Sequence, residues 1–269
     1  LNSEGGASFH PVTLNADGKF ASIQAAIDAS VADSGDTIFV EPGTYSENIT
    51  IDVSGLTLSG NTSGSEIPII DAGGTGDVTV VEIQTDNLLF ENFTVKGGSK
   101  ASNISKGRGI EITGAASTVD FITIQNCVIM DNYYDGIKMD GITITDTLNI
   151  LDNEITANDF YGFRISNITG GTLNISGSDI SENYRDGIRI DGTISGASLN
   201  IVGNTIDNNT EGDGISFGGT ITNSSTVTIG GASPTTQGNT ITNHNGAGTY
   251  NAGINFWTNV SSGSVTVEG

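Results

Sequence analysis

Only one cysteine, Cys127, stands among the 269 residues. No internal disulfide can form, and no cysteine-based zinc site can be built, so the residue is expected to serve packing. No apolar run approaches the roughly 20 residues that a membrane-spanning helix requires, so insertion into a bilayer is not expected. Basic residues are few: 9 Lys and Arg face 31 Asp and Glu, for a formal charge of −22. Such a field repels nucleic acid and anionic membranes and attracts cations, calcium among them. Proline is scarce too, at 4 residues, whereas Gly reaches 38. Together with abundant Ser, Thr and Asn and short Val/Ile runs, this composition predicts many short strands joined by tight turns and very little helix.

The chain repeats itself. The segments "ITIQNCVIMDNYYDGIKMDG", "LNILDNEITANDFYGFRISN", "LNISGSDISENYRDGIRIDG" and "LNIVGNTIDNNTEGDGISFGG" superimpose, and Gly136, Gly162, Gly187 and Gly214 mark the same step. Gly109 extends the series upstream and Gly253 continues it downstream. A spacing of about 26 residues lies in the range of solenoid repeats. Each unit carries three short alternating runs, such as "LNI", "NEI" and "GFRI", which predicts a triangular coil with one strand per side. Ile129, Ile155, Ile180, Ile206 and Ile241 would form an inward ladder. Two further ladders, Cys127, Asn153, Ser178, Asn204, Asn239 and Asn132, Asn158, Asn183, Asn209, read as turn residues that bond to their own and neighbouring backbone.

Upstream, "FASIQAAIDASV" places Phe20, Ile23, Ile27 and Val31 on one helical face, suited to cap a solenoid. Residues 1–35 are thus expected to be an N-terminal segment with a capping helix, and 36–269 a single β-helix domain. With "GDTIFVEPGTYSENI" and the coils that follow, the sequence from Phe20 onward resembles the right-handed parallel β-helix superfamily, the pectate-lyase-like fold. That resemblance implies an all-β, right-handed, single-stranded parallel β-helix of the kind found in carbohydrate-binding and sugar-cleaving proteins. The opening Leu1 suits a chain whose secretory leader has been removed, and so an extracellular or cell-surface location. Nine N-x-Ser/Thr sequons, from Asn48 to Asn259, permit a glycosylated exterior, though such a composition yields about that many by chance.

Alternation within the strands turns Lys138, Arg164 and Arg189 outward on three successive coils, in a column that reads Glu111 before them and Ser216 and Asn255 after. Eight of the nine basic residues lie between Lys96 and Arg189. Tyr133, Tyr134, Phe160, Tyr161 and Tyr184 fall beside them, and flat rings stack on sugar faces while Lys and Arg neutralise carboxylates. Asp135, Asp186 and Asp213 precede marker glycines, and Asp140 and Asp191 follow two of them. These acids suit calcium held against a uronate; equally, Asp-Gly is an ordinary turn pair, and stacked acids need cations between them.

Two chemistries fit the residue types. In β-elimination, which the resemblance implies, Lys138 would remove the proton beside a uronate carboxylate while Arg164, Arg189 and calcium stabilise the developing charge. In hydrolysis, Asp135 and Asp186, two coils apart, would act as the carboxylate pair; His10 and His244 stand isolated. The expected function is a secreted or surface β-helix that binds acidic polysaccharide, with lyase activity left open. The alternative is a structural or adhesive surface protein that self-associates by stacking the coil at its C-terminal end. A column of Thr143, Thr193 and Thr220 is too short and interrupted to carry ice binding.

Overall fold

A computed structural model describes residues 12–64, 66–102, 106–114, 118–231, 238–244, 252–257 and 260–268. His10 and the sequons at Asn103 and Asn259 lie outside them. The described chain winds as a parallel β-helix. Successive coils add one short strand each to an 11-stranded sheet and to two 8-stranded sheets. A fourth sheet of 5 strands, from Thr118–Val119 to Ile221–Thr222, adds a side that the three-run repeat did not show. Most of its strands are only two residues long, too short for alternation to register, yet they pair in parallel from coil to coil as the strands of the other sides do. Pairing here also corrects the threonine column: Thr143 lies opposite Thr118 and Thr169, not in line with Thr193 and Thr220.

Parallel register keeps each repeat position above its equivalent, so the inward isoleucines stack as one column. Ile129, Ile155, Ile180, Ile206 and Ile241 pair in that order, and Val95 and Ile70 extend the row upstream. All but Ile241 are fully buried, each worth about 1.5–3 kcal/mol against an exposed side chain.

The corners are held by the asparagine ladders. Cys127 N–H donates to Asn153 Oδ1 at 2.9 Å, and Ser178 N–H to Asn204 Oδ1 at 3.0 Å. In the second ladder Asn158 Nδ2 donates to Ile129 O at 3.1 Å and to Asn183 Oδ1 at 2.9 Å. Cys127 is buried, its Sγ 3.2 Å from Gln125 O, and burial pushes its thiol up to about 12, consistent with packing. His244 is not isolated. Its Nε2 occupies the place beside Gly214 that the amide nitrogens of Asn158, Asn183 and Asn209 take beside Gly136, Gly162 and Gly187.

The marker glycines are demanded by close approach. A Cβ on Gly162 would lie 2.6 Å from Ile180 Cγ2 and 2.7 Å from Gly187 O, and the same clash recurs at Gly136 and Gly187.

The capping helix spans Ile23–Ala29, shorter than the apolar pattern suggested. Ser22 caps it, its Oγ accepting Ala25 N–H at 3.1 Å, and the Glu47 carboxylate accepts the amides of Ile23 and Gln24. Phe20 instead ends a strand, Asp17–Phe20, and Val31 is 64% exposed beyond the helix. That strand and Val12–Leu14 form an antiparallel hairpin that adds to the 11-stranded sheet, so the expected boundary at residue 35 cuts through continuous sheet.

Candidate carbohydrate-binding face

Outward columns flank the marker glycines. The strand column pairs Glu111, Lys138, Arg164, Arg189, Ser216 and Asn255 in sequence, as alternation predicts. Carboxylates from either side neutralise its cations, as the reading of stacked acids with cations between them expects. Lys138 Nζ lies 2.6 Å from Asp140 and 4.0 Å from Glu111, and the residue is only 7% exposed. Asp191 bridges two coils, accepting from Arg164 Nε at 2.7 Å and Arg189 Nε at 2.6 Å. Arg189 also lies 3.5 Å from Asp186, and Arg108 lies 3.6 Å from Asp135 and 3.0 Å from Glu111. Five carboxylates, Glu111, Asp135, Asp140, Asp186 and Asp191, thus surround four cations.

Burial dominates the titration of two of these acids. It pushes Asp135 up to about 6 despite Arg164 and Arg108, and Asp186 up to about 6 despite the Asp213 amide and Arg189. At Asp191 burial also acts upward, but the hydrogen bonds from Arg189 and Arg164 outweigh it and hold the group below the usual carboxylate range. Asp140 is held low in the same way by Lys138.

The five aspartates expected to hold calcium do not converge. Asp213 accepts the Ala252 amide and Asn255 Nδ2, Asp186 accepts the Asp213 amide, and the others face cations. Among the described residues no three His, Cys, Asp or Glu side chains come close enough to ligate one ion. The set does not fit a calcium cage.

The aromatic residues do come together. The loop between each ladder asparagine and its glycine stacks on the loop below, through Asp159 N–H to Asn132 O, Tyr184 N–H to Asn158 O and Arg185 N–H to Phe160 O. One column of this stack reads Tyr134, Phe160, Arg185, Glu211. The rings form a continuous edge-to-face chain: Tyr133 to Tyr134 at 5.6 Å, Tyr134 to Phe160 at 5.3 Å and Phe160 to Tyr161 at 4.6 Å between centroids. Tyr133 and Tyr184 remain about half exposed.

Two cations missed by the repeat analysis sit on these rings. Lys100 Nζ lies 5.3 Å from the Tyr134 centroid, and the Arg185 guanidinium lies 5.0 Å from that of Phe160. Among the described residues neither forms an ion pair. Two clefts result. One, of about 390 Å³, is lined by Tyr133, Tyr134, Asp159, Phe160 and Tyr184. The other, of about 250 Å³, is lined by Tyr161, Arg185, Asp186, Arg189, Glu211 and Trp257. Trp257, the single tryptophan, is 59% exposed. Lys100 escaped notice because it lies in the insertion between Gly97 and Gly109, outside the repeat; Trp257 could have been found as the fourth residue after Gly253, the position of Asp140 and Asp191.

Residues 70–269 match the family model for a right handed beta helix region. A cell surface glycoprotein of Methanothermus fervidus is 35% identical over 124 residues, which are 46% of this chain and 19% of that protein. A probable pectinesterase A of Aspergillus niger is 28% identical over 137 residues, covering 46% of this chain and 41% of that protein. The chain therefore spans less than half the length of either relative. Among solved structures, the A-module of the Azotobacter vinelandii mannuronan C-5 epimerase AlgE4 aligns over 91% of this chain and 92% of its own, with 16% identity and a TM-score of 0.36. The family match runs through the same coils that build the ion-pair columns and both clefts: this chain belongs to the right-handed β-helix family.

Proposed function

We propose that this chain is a secreted or surface-displayed β-helix module that binds acidic polysaccharide along its aromatic face. The observation that carries the reading is the pair Lys100 and Arg185, two cations resting on a chain of four rings with no carboxylate partner among the described residues. Rings offer flat apolar surface to sugar C–H faces, and a guanidinium or ammonium beside them answers a uronate carboxylate. The cleft of about 390 Å³, walled by four aromatic rings with Asp159, has the size and lining of a small-molecule site. The relative named a cell surface glycoprotein supports the location, and the one named a probable pectinesterase supports a polysaccharide partner.

Binding is favoured over cleavage because the groups proposed for β-elimination face one another rather than a ligand. Lys138 is enclosed by Asp140 and Glu111, and Arg164 and Arg189 share Asp191. Calorimetric titration with oligouronates tests the reading. Lys100→Ala combined with Arg185→Ala should weaken binding at least tenfold, about 1.4 kcal/mol, and leave folding intact. Unchanged affinity would remove the aromatic face as the site.

A further inference from the structure

A third cleft opens on another side of the coil. On the outward face of the 11-stranded sheet, strand pairing lines up Thr13, Phe39, Ser59, Glu91 and Gln125 as one row. Small Ser59 stands between the longer Phe39 and Glu91, and Gly60 beside it has no room for a side chain, because a Cβ there would clash with Asn92 O. The gap so left is a cleft of about 500 Å³, within the size range of small-molecule sites. Phe39, 43% exposed, forms part of its wall. We infer that this cleft binds a sugar unit without negative charge. The aromatic chain of Tyr133 to Tyr161 stands instead on loops between the two 8-stranded sheets, so the two sites are separate and neither depends on the other.

The polar groups of this cleft are already oriented. Ser59 Oγ donates to Glu91 Oε1 at 2.8 Å, Gln125 Nε2 donates to Glu91 Oε2 at 2.8 Å, and Asn61 Nδ2 donates to Glu41 Oε2 at 2.7 Å. These donors are neutral, and neither Glu41 nor Glu91 forms an ion pair among the described residues. Lys19, paired with Thr13 at the end of the row, does not line the cleft. A uronate or sulfate entering here would therefore meet two carboxylates and no cation. Neutral sugar hydroxyls suit them instead, since an ionised carboxylate only accepts hydrogen bonds. Thr13, Thr62 and Asn92 add side chains that make no hydrogen bond among the described residues and can answer further hydroxyls. The Phe39 ring supplies flat apolar surface against which a sugar C–H face packs.

The test is calorimetric titration of the wild-type chain with cellohexaose, mannohexaose and the hexamer of N-acetylglucosamine, with an oligogalacturonate as the acidic control. At least one neutral hexamer is expected to bind. Phe39→Ala should weaken it at least tenfold, Phe39→Tyr should restore it, and Lys100→Ala combined with Arg185→Ala should leave it unchanged. Phe39→Ala should in turn leave the affinity for the oligogalacturonate as it was. Silence of all three neutral hexamers, or binding indifferent to Phe39→Ala, would overturn this inference and leave the aromatic face untouched. Neutral binding lost with Lys100 and Arg185 would also overturn it, by placing that ligand on the aromatic face.

Discussion

Asp191→Asn is the substitution that most sharply separates a structural ion-pair ladder from an anion-binding one. Asp191 accepts from Arg164 Nε and Arg189 Nε, which sit on adjacent paired strands. Losing its charge exposes the two guanidiniums to each other across one strand spacing, about 4.8 Å, where an effective dielectric near 20 gives roughly 3 kcal/mol of repulsion. The two side chains are 29% and 23% exposed, so solvent screening reduces that to about 1–2 kcal/mol. The amide oxygen keeps one acceptor and gives up the charge assistance of both bonds, worth about 1–2 kcal/mol more. A total loss near 3 kcal/mol is expected in urea unfolding at low ionic strength, shrinking as salt is added. A loss below about 0.5 kcal/mol, or one indifferent to salt, would refute the idea that Asp191 holds the ladder together.

The remaining predictions concern the coil, its pH dependence and its chemistry. Gly162→Ala should cost more than about 3 kcal/mol, because the new methyl meets Gly187 O at 2.7 Å and Ile180 Cγ2 at 2.6 Å, both fixed by strand pairing; a midpoint within error of wild type would contradict that. Asn158→Ala leaves the Asn132 amide and the Ile129 carbonyl without their partners and should cost about 2–4 kcal/mol, with faster hydrogen exchange at those coils. Asp135 and Asp186 titrate near 6 in the fold, above their unfolded value of 3.8, so the folded state binds protons more tightly. Their ionisation therefore destabilises the fold as pH rises through 6, and stability should increase on acidification from pH 7 towards 5. Replacing both by Asn should flatten that slope; an unaltered slope would assign it to other groups. On polyuronates no rise in ultraviolet absorbance from unsaturated products is expected, and a rise abolished by Lys138→Ala would restore that lysine as a catalytic base.

Much of the coil could be read from the chain because its determinants repeat at one period. Ile155, Asn158 and Gly162 each do one job per turn, and parallel pairing preserves that job from coil to coil. The fourth sheet escaped because Ile168–Thr169 and Ile194–Ser195 are too short to alternate. The helix was overestimated because Phe20 and Val31 fit its apolar spacing, while Ser22 and Ser30 ended it sooner. Within the face, the column Lys138, Arg164, Arg189 followed from alternation, but its neutralisation did not. Asp140 and Asp191 reach back from beyond the strand, where a period of two no longer directs a side chain. Lys100 lies in an insertion outside the repeat, and only the three-dimensional winding brings it beside Tyr134, whereas Trp257 holds the repeat position of Asp140 and Asp191 in a coil that was not aligned.

Trp257 supplies the most direct test of a glycan lying along this face, because it is the single tryptophan of the chain and lines the second cleft. Its fluorescence should change saturably as an oligouronate is added, with a midpoint matching calorimetry and shifted to weaker binding by Lys100→Ala with Arg185→Ala. Calorimetric binding with no change in Trp257 emission would place the glycan elsewhere on the molecule and contradict the proposed site.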